Sequence, residues 1–416
     1  MKTFLKKIIT KLLILESKLI LKKYKPSIIA VTGSVGKTST KDAIFTVLAP
    51  TCHVRKSEKS FNSEIGVPLT ILGCKNAWND PFGWMRNLFE GIELILFKSD
   101  YPQCLILEVG ADHPGDIAMI AKWIKPDIAI LTKVSDIPVH VEFFASPEAV
   151  LDEKLNLARS LKENGTLIIS ADDPKLVEAA KNFKQKLITF GIASQATVTA
   201  SNIEMSVQNS ISFKLNHEGN SIPVNIRGAL GVQQIYPALA ATAVGIARNV
   251  PILSIVESLK SHRASRGRMN VLPGLNGTYI IDDTYNSSPD ALAEALSVLA
   301  GLQTTSKKYA ILGDMMELGK FSSDQHMKVG QQAVKSCDVL ITVGPRAALM
   351  SETAIHFDSS TQAAEYITTV VGAGDIILIK GSQSIRMERI SKALLAEPEK
   401  AGDLLVRQEE EWLNKK

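Results

Sequence analysis

One loop of the sequence has the residue types and the spacing that bind phosphate groups. It follows an apolar run at 27–31, precedes a helical pattern that continues to residue 48, and consists of Thr32, Gly33, Ser34, Val35, Gly36, Lys37, Thr38 and Ser39. Glycines let successive backbone N–H groups turn toward phosphate oxygens, and the helix that follows adds its positive N-terminal end. We expect Lys37 to contact the β and γ phosphates of a nucleotide and the Thr38 hydroxyl to ligate Mg²⁺.

The loop departs from the strict phosphate-loop spacing at one position. The usual pattern has a glycine five residues before Gly36, and Val31 stands there instead. The string Thr-Gly-x-x-Gly-Lys-Thr nevertheless lies between a strand pattern and a helix pattern, which is the context that phosphate contact requires. The sequence therefore predicts a nucleotide-phosphate site in preference to a plain strand-to-helix turn.

Two charged residues elsewhere in the chain suit the same chemistry. Glu108 ends the apolar run 104–109, and ligands of open α/β sheets bind at the carboxyl ends of the strands. We expect Glu108 to be a Mg²⁺ carboxylate, the alternative being a surface glutamate at a strand end. Arg268 ends a basic segment, and a guanidinium is suited to bidentate phosphate contact, so Arg268 is predicted to reach the phosphates.

Alternating strand and helix patterns predict the elements that position these residues. Buried parallel strands are predicted at 27–31, 104–109, 128–131 and 167–169, with helices at 115–123 and 147–161 between them. The segment 195–227 alternates polar and apolar residues, which predicts antiparallel strands, and a helix is predicted at 237–248. After the basic segment 263–268, which we interpret as a linker, strands are predicted at 279–282, 309–312, 339–343 and 376–379.

These patterns predict an α/β protein in three parts. A basic amphipathic helix occupies 1–25, a central P-loop ATPase domain with a mainly parallel sheet occupies 26–262, and a C-terminal Rossmann-like α/β domain occupies 263–416. The chain of 416 residues is too long for one ordinary core, which agrees with several domains.

The composition restricts the classes of function. Apolar residues make up 45% and charged residues 22%, as in globular proteins, and a net charge of +4 gives no reason to expect nucleic-acid binding. No pair of the four cysteines has metal-site or redox-motif spacing, which predicts a reducing, cytoplasmic compartment; they are Cys52, Cys74, Cys104 and Cys337.

The first 25 residues differ from the rest in charge. They contain eight lysines and a single acid, Glu16, and their apolar residues recur at helical spacing. Lysines interrupt the apolar stretch, so a membrane-spanning helix is not predicted. Two interpretations remain open, a helix docked on the following domain and a basic helix lying on an anionic membrane surface.

Seven strings, in this order along the chain, resemble those of the Mur ligase family, which joins an amino acid or a dipeptide to a UDP-muramoyl peptide. They lie at 31–40, 61–69, 108–111, 140–146, 281–290, 312–319 and 380–388. The last three resemble the branch of the family that adds D-alanyl-D-alanine. The resemblance implies an ATP-dependent, amide-forming enzyme of peptidoglycan precursor synthesis, in which ATP phosphorylates the peptide carboxylate and the incoming amine displaces phosphate. Its substrates would be a UDP-N-acetylmuramoyl-tripeptide and D-alanyl-D-alanine, and the protein would be a monomer.

The resemblance also assigns roles to residues. It implies two Mg²⁺ ions held by Thr38, Glu108, His140 and Lys154, with Lys154 carbamylated, and it makes Lys37, Glu108, His140 and Lys154 the catalytic set. Tyr285 and Asn286 would contact the adenosine part of ATP. The residues implied on the substrate side are Asn62, Ser63, Asp314, Lys380, Ser382 and Arg386.

Departures from the family pattern leave alternatives open. Relatives carry an N-terminal UDP-binding domain, which here is expected to be absent, reduced to the basic helix, or supplied by a partner. Lys133 stands where the family has asparagine, Gln233 and Gln234 where it has His-Asn, and Ala145 where it has glycine. The alternatives are a related ligase with another acceptor, such as a folate glutamylating enzyme or a different wall-peptide ligase, and a catalytically silent nucleotide-binding partner.

Overall fold

Two β-sheets organise the computed structural model, which describes residues 3–58, 61–136, 141–193, 195–208 and 210–413. The first sheet has nine strands in the order β2-β3-β1-β4-β5-β6-β7-β8-β9. Neighbouring strands are parallel from β2 to β7 and antiparallel from β7 to β9. Its strands are β1 Ser27–Thr32, β2 Val54–Lys56, β3 Cys104–Glu108, β4 Ile128–Leu131, β5 Thr166–Ser170, β6 Lys186–Gly191, β7 Val198–Ser206, β8 Ser210–His217 and β9 Asn220–Ile226.

Helices cover both faces of this sheet, so the strands are buried on each side and read as continuous apolar runs. In β1, Ile28 and Ala30 pack into one apolar layer and Ile29 and Val31 into the other, as the alternation of a strand requires. The helices are α1 Thr3–Tyr24, α2 Lys37–Leu48, α3 Gly66–Leu72, α4 Pro81–Leu96, α5 Asp116–Ile124, α6 Pro147–Arg159, α7 Pro174–Ala180, α8 Ile235–Ala247 and α9 Ile252–Lys260.

The second sheet has six strands in the order β10-β11-β15-β12-β13-β14, all parallel except for the β10–β11 pair. Its strands are β10 Asn270–Pro273, β11 Tyr279–Asp283, β12 Lys308–Gly313, β13 Val339–Val343, β14 Ile355–Phe357 and β15 Ile376–Lys380. Its helices are α10 Pro289–Gly301, α11 Ser322–Ser336, α12 Ser360–Val370, α13 Glu388–Leu394, α14 Ala401–Leu404 and α15 Glu410–Leu413. The α/β fold class and the antiparallel segment at 195–227 are confirmed. The first sheet ends before the predicted linker and the second begins after it, and the domain limits at 25/26 and 262/263 stay predictions.

The N-terminal helix α1 is docked on the first domain, which confirms one of its two interpretations. Its residues Ile9, Leu13 and Ile20 are buried, and it packs against α3 and α4. The other side of α1 is exposed, and contact of this helix with a membrane stays a prediction. Among the helices of the described residues, none is long and apolar enough to cross a bilayer.

Candidate active site

The phosphate loop joins β1 to α2 at the carboxyl edge of the first sheet, and its two glycines have positive φ. Gly36, at φ 85°, precedes the first turn of α2. Gly33, at φ 150°, passes so close to Thr132 that a Cβ there would lie 2.0 Å from the Thr132 Oγ1. The segment after β4 holds the loop, because the Ser34 N–H donates to the Lys133 carbonyl (2.7 Å) and the Thr132 hydroxyl donates to the Val35 carbonyl (2.6 Å). A side chain at position 33 would therefore displace the loop.

Lys37 begins α2 and folds back over the loop. Its Nζ donates to the Gly33 carbonyl at 2.8 Å, at the point where a nucleotide phosphate would accept the same proton. Burial lowers the pKa of Lys37, the nearby Arg268 lowers it further, and Glu108 and Asp112 oppose the shift. Positive charge from both domains is thus concentrated around the loop, which favours a polyanionic ligand.

Glu108 lies at the end of β3 and faces the start of α2. Only 1% of the residue is exposed, and the Thr38 hydroxyl donates to its two carboxylate oxygens at 3.0 and 3.2 Å. The Asn62 amide donates at 3.4 Å, and the buried Lys41 Nζ lies 3.8 Å away. The sequence-predicted Thr38, Asn62 and Glu108 are therefore brought together by the structure, whereas Lys41 was not predicted.

These oxygen donors are the ones from which a Mg²⁺ site would be built. A hydroxyl and a buried carboxylate are hard ligands, and Mg²⁺ typically takes one or two protein ligands and completes its shell with phosphates and water. Within the described residues no group of three or more His, Cys, Asp or Glu side chains converges, which is compatible with such a sparse protein contribution. His140 lies outside the described residues.

Lys154 is a buried lysine of α6 near the phosphate loop. Burial lowers its pKa to about 7, and the charge of Lys37 acts in the same direction, against the opposing effect of Glu153 and Asp112. Its neighbour Glu153 anchors α6 to the start of α5, because its carboxylate accepts hydrogen bonds from three backbone N–H groups at 2.7–3.0 Å. The burial of Lys154 therefore favours the neutral form of its amine.

The second domain contributes an aromatic ring flanked by arginines. The Arg268 guanidinium lies 4.1 Å from the centre of the Tyr285 ring, and Arg407 lies 5.7 Å from it. The Gln234 amide donates to the Arg268 carbonyl at 2.9 Å, so Gln234 positions this arginine. The structure places Arg268 and Tyr285 together, as a pair that could hold a base or a phosphate.

Lys380 and Asn286 lie together in the same domain. The Lys380 Nζ is buried, lies 2.7 Å from an Asp283 carboxylate oxygen and donates to the Asn286 carbonyl at 2.9 Å. The lysine therefore ties β15 to the segment that follows β11. In this geometry it positions the Tyr285–Asn286 segment.

The remaining substrate-side candidates make internal contacts. Asp314 accepts from the Arg346 and Ala347 N–H groups, and Ser382 accepts from the Met316 N–H. Arg386 is buried, pairs with Glu388 at 2.5 Å and donates to the Trp412 carbonyl. Ser63 accepts from the Gly66 N–H at the start of α3. A contact of Ser63, Asp314, Ser382 or Arg386 with substrate stays a prediction.

Two further contacts between side chains join the two domains near the site. The Lys133 Nζ lies 2.7 Å from a Glu294 carboxylate oxygen of α10, so Lys133 makes an ion pair between the domains. The Ser265 hydroxyl donates to Asp42 of α2 at 2.6 Å.

Several residues of the site were missed by sequence reasoning. Thr132 follows β4 at the same sheet edge where Glu108 ends β3, so the strand-end rule could have found it. Lys41 is one helical turn beyond Lys37, a spacing that places both on one side of α2. Arg407 carries no such signal, because only the fold brings it to Tyr285.

Comparison with known proteins gives matches over most of the chain. The model of the Mur ligase middle domain matches residues 85–245, and that of the Mur ligase glutamate ligase domain matches 267–383. A UDP-N-acetylmuramoyl-tripeptide–D-alanyl-D-alanine ligase from Buchnera aphidicola is 30% identical over 90% of this chain and 76% of its own length. The enzyme of that name from Bacillus subtilis is 28% identical over 89% of this chain and 76% of its own.

Solved structures agree with these matches. A crystal structure of the MurF ligase from Thermotoga maritima in complex with ADP is similar with a TM-score of 0.80 and 27% identity, over 94% of this chain and 84% of that one. A pseudomurein peptide ligase type C from Methanothermus fervidus, 18% identical with a TM-score of 0.67, shares the fold.

Proposed function

This chain belongs to the Mur ligase family, and from that premise we propose that it is an ATP-dependent, ADP-forming ligase that adds D-alanyl-D-alanine to a UDP-N-acetylmuramoyl-tripeptide in peptidoglycan precursor synthesis. The observation that carries the proposal is the convergence of Lys37, Thr38 and Glu108 at one sheet edge. It occurs in a chain whose matched relatives bear this activity in their names.

The loop and both domains position ATP. The backbone of Gly33 to Gly36 and the start of α2 hold the phosphates, and Lys37 exchanges its contact with the Gly33 carbonyl for a phosphate oxygen. Arg268 contacts the phosphates, and Tyr285 and Asn286 contact the adenosine part. Phosphoryl transfer depends mainly on position and charge neutralisation, and these residues supply both.

Thr38, Glu108, His140 and Lys154 would hold Mg²⁺, and two ions are proposed. The metal would neutralise charge on the phosphates and on the acyl group. The observation in favour is the pair of hard oxygen donors at 3.0–3.2 Å, with Glu108 buried and hydrogen-bonded by Asn62.

Lys154 suits conversion to a carbamate. Only a neutral amine can attack the carbon of CO₂, forming an N–C bond and releasing one proton. Burial lowers the pKa of Lys154 to about 7, which increases the fraction of its amine that is neutral. The product is an anion, which removes the repulsion between Lys154 and Lys37 and adds a carboxylate ligand for the metal.

The reaction has two steps. A carboxylate oxygen of the tripeptide attacks the γ-phosphorus, the bond to the bridging oxygen breaks, and ADP leaves with that electron pair. The D-alanyl amine then attacks the acyl carbon, the carbon–oxygen bond to phosphate breaks, and the amine loses a proton. Asn62 and Ser63 are proposed to line the tripeptide side of the cleft, and the dipeptide side would be lined by Asp314, Lys380, Ser382 and Arg386.

The proposal extends to the setting of the enzyme. We place it in the cytoplasm as a monomer that contacts the inner face of the membrane through its N-terminal helix. The support is the basic character of residues 1–25 and the exposed side of α1.

Phosphate release by the purified chain tests the function. The assay contains ATP, Mg²⁺, UDP-N-acetylmuramoyl-tripeptide and D-alanyl-D-alanine, and the product is identified by its mass. We expect release to require both substrates and to yield the pentapeptide, with loss of at least about 100-fold in Lys37→Ala. Tight ATP binding without formation of the pentapeptide would contradict the proposed acceptor substrate. Absence of ATP binding would contradict the proposal that the chain is an ATP-dependent enzyme.

A further inference from the structure

Two neighbouring helices leave apolar side chains exposed at helical spacing. Those of α1 are 40–55% exposed and those of α4 are 43–77% exposed. We call this surface the two-helix face, and it consists of Ile8, Leu12, Leu15, Leu19, Phe82, Met85, Phe89, Ile92 and Leu96. Contiguous apolar surface of this kind is unusual on a free protein and marks a place of interaction.

The two helices lie side by side and run in the same direction. The Lys23 ammonium donates to the Leu94 and Ile95 carbonyls at the end of α4, and the Glu16 carboxylate lies against Gly91. Successive residues of an α-helix are about 100° apart around the helix axis. By this measure the exposed apolar side chains of α1 lie about 70° around the helix from Glu16. Those of α4 lie about 140° from Gly91, in the opposite sense of rotation. For two parallel helices in contact, this turns both stripes to the same side of the molecule.

A basic cavity borders the α1 side of the face. It has a volume of about 360 Å³, lies between α1 and the end of α5, and is lined by Lys18, Leu21, Lys22, Lys25, Pro26, Ile28, Trp123, Ile124, Lys125 and Lys162. Of its five lysines, Lys162 is paired with Asp127 at 2.7 Å. Ammonium groups are hydrogen-bond donors only, so the cavity suits an anion.

The charge of the chain is concentrated at this border. The eight lysines and one glutamate of residues 1–25 give +7, whereas the whole chain has +4, so the remaining residues sum to −3. The exposed Lys7, Lys11, Lys18 and Lys22 follow one another along the side of α1 next to its apolar stripe. Residues 1–25 contain no arginine, whereas interfaces with other proteins favour arginine and are depleted of lysine.

We propose that the two-helix face docks on the surface of an anionic lipid bilayer. The apolar side chains of α1 and α4 enter the boundary between headgroups and acyl chains, and the lysine cavity receives a lipid phosphate. The inference adds a second helix and a headgroup site to the contact of residues 1–25 proposed above. It is independent of the ligase chemistry, because none of these residues belongs to the candidate active site.

Vesicle flotation of the full chain tests the proposal. Binding to vesicles of phosphatidylglycerol and phosphatidylcholine is compared with binding to phosphatidylcholine alone, at low and high salt. One variant carries Phe82→Ser, Phe89→Ser and Leu96→Ser, and another carries Lys18→Gln, Lys22→Gln and Lys125→Gln. The matched controls change exposed residues elsewhere, Leu187→Ser, Leu253→Ser and Met327→Ser in one protein, and Lys184→Gln, Lys186→Gln and Lys335→Gln in the other.

We expect binding to need the anionic lipid, to weaken with salt, and to fall about 10-fold or more in each test variant but not in the controls. Circular dichroism confirms that each variant is folded, and excess inorganic phosphate at constant ionic strength should not displace the protein. Equal binding by test and control variants would overturn the proposal. It would also be overturned by a dimer that the α4 variant abolishes, or by displacement by free phosphate.

Discussion

The surroundings of Lys154 change the protonation chemistry of its amine. A lysine amine in water is almost wholly protonated at neutral pH, whereas burial lowers the pKa of Lys154 to about 7. The nearest competing role is that of a buried structural lysine. The two roles differ in their dependence on CO₂, because only the carbamate needs it.

We predict that Lys154→Ala lowers the rate of pentapeptide formation by about 100-fold or more, since a metal ligand is lost. Formate or another short carboxylate should restore part of the rate by occupying the vacated position. As the pH falls below about 7 the amine becomes an ammonium that cannot attack CO₂, so activity should fall, and added bicarbonate should oppose the loss. Lys162→Ala, which replaces an exposed lysine outside the candidate site, is the control and should keep its activity. Full activity of Lys154→Ala, or no response of this variant to added carboxylates, would contradict the carbamate and indicate that Lys154 is a structural lysine.

Gly33 is constrained both by its backbone and by its neighbour. We predict that Gly33→Ala weakens ATP binding by about 10-fold or more, because the positive φ and the contact with Thr132 each oppose a Cβ at a cost of about 1–3 kcal/mol. Calorimetric titration with ATP measures the effect. The control is Gly301→Ala, since a Cβ at Gly301 meets no atom within 4 Å. Unchanged affinity in Gly33→Ala would show that the loop does not bind phosphate in this conformation.

At the scale of elements, strands and helices could be predicted from the sequence where they are long, buried and regular. The apolar runs of β1, β3, β4, β5 and β15 predict their strands because both faces of each sheet are covered. The strands β2 and β14 were missed because each has three residues at a sheet edge, all partly or fully exposed, and so gives no apolar run. The amphipathic α4 was also missed, although the two-helix face depends on it.

The residues of the site, too, could be predicted only where a local sequence pattern marks them. Lys37, Thr38 and Glu108 were predicted because a loop motif and a strand end mark them in the sequence. The pKa of Lys154, the stacking of Arg268 on Tyr285 and the role of Arg407 depend on tertiary neighbours, which no local pattern encodes.

Glu16 is a buried carboxyl between α1 and α4, and its Oε2 has no hydrogen-bond partner among the described residues. Burial raises its pKa to about 7 from the ordinary value of 4.5. Between these two values the folded chain holds a proton that the unfolded chain has lost, so stability falls as the pH rises from about 4.5 to about 7 and then levels off.

We predict that Glu16→Gln increases the free energy of unfolding by about 1–2 kcal/mol above pH 7, because it removes the buried charge and keeps the shape. The advantage should shrink toward pH 4.5 and disappear below it, where the carboxyl is protonated in both states. Denaturant unfolding at pH 5 and pH 8 measures this, with Glu93→Gln on the exposed side of α4 as control. A gain that is the same at both pH values would show that the charge of Glu16 is not the cause.

At the scale of the whole molecule, the candidate site is divided between the domains. Lys37, Glu108 and Lys154 belong to the first domain, and Arg268 and Tyr285 lie at the start of the second. A site of this kind can be completed by domain closure, which excludes water from a reactive acyl phosphate. The interdomain pair of Lys133 and Glu294 is partly exposed, so we expect a coupling energy below about 1 kcal/mol, too little to lock one arrangement.

We therefore predict that the radius of gyration decreases when a non-hydrolysable ATP analogue and the tripeptide substrate bind together, and changes less with either alone. Small-angle scattering measures it, and Lys37→Ala, which should not hold the nucleotide, is the control. A double-mutant cycle of Lys133→Ala and Glu294→Ala supplies the coupling energy of the ion pair. Identical scattering curves in every state would contradict closure on substrate binding. A coupling of several kcal/mol would contradict the expectation that the ion pair is too weak to hold one arrangement.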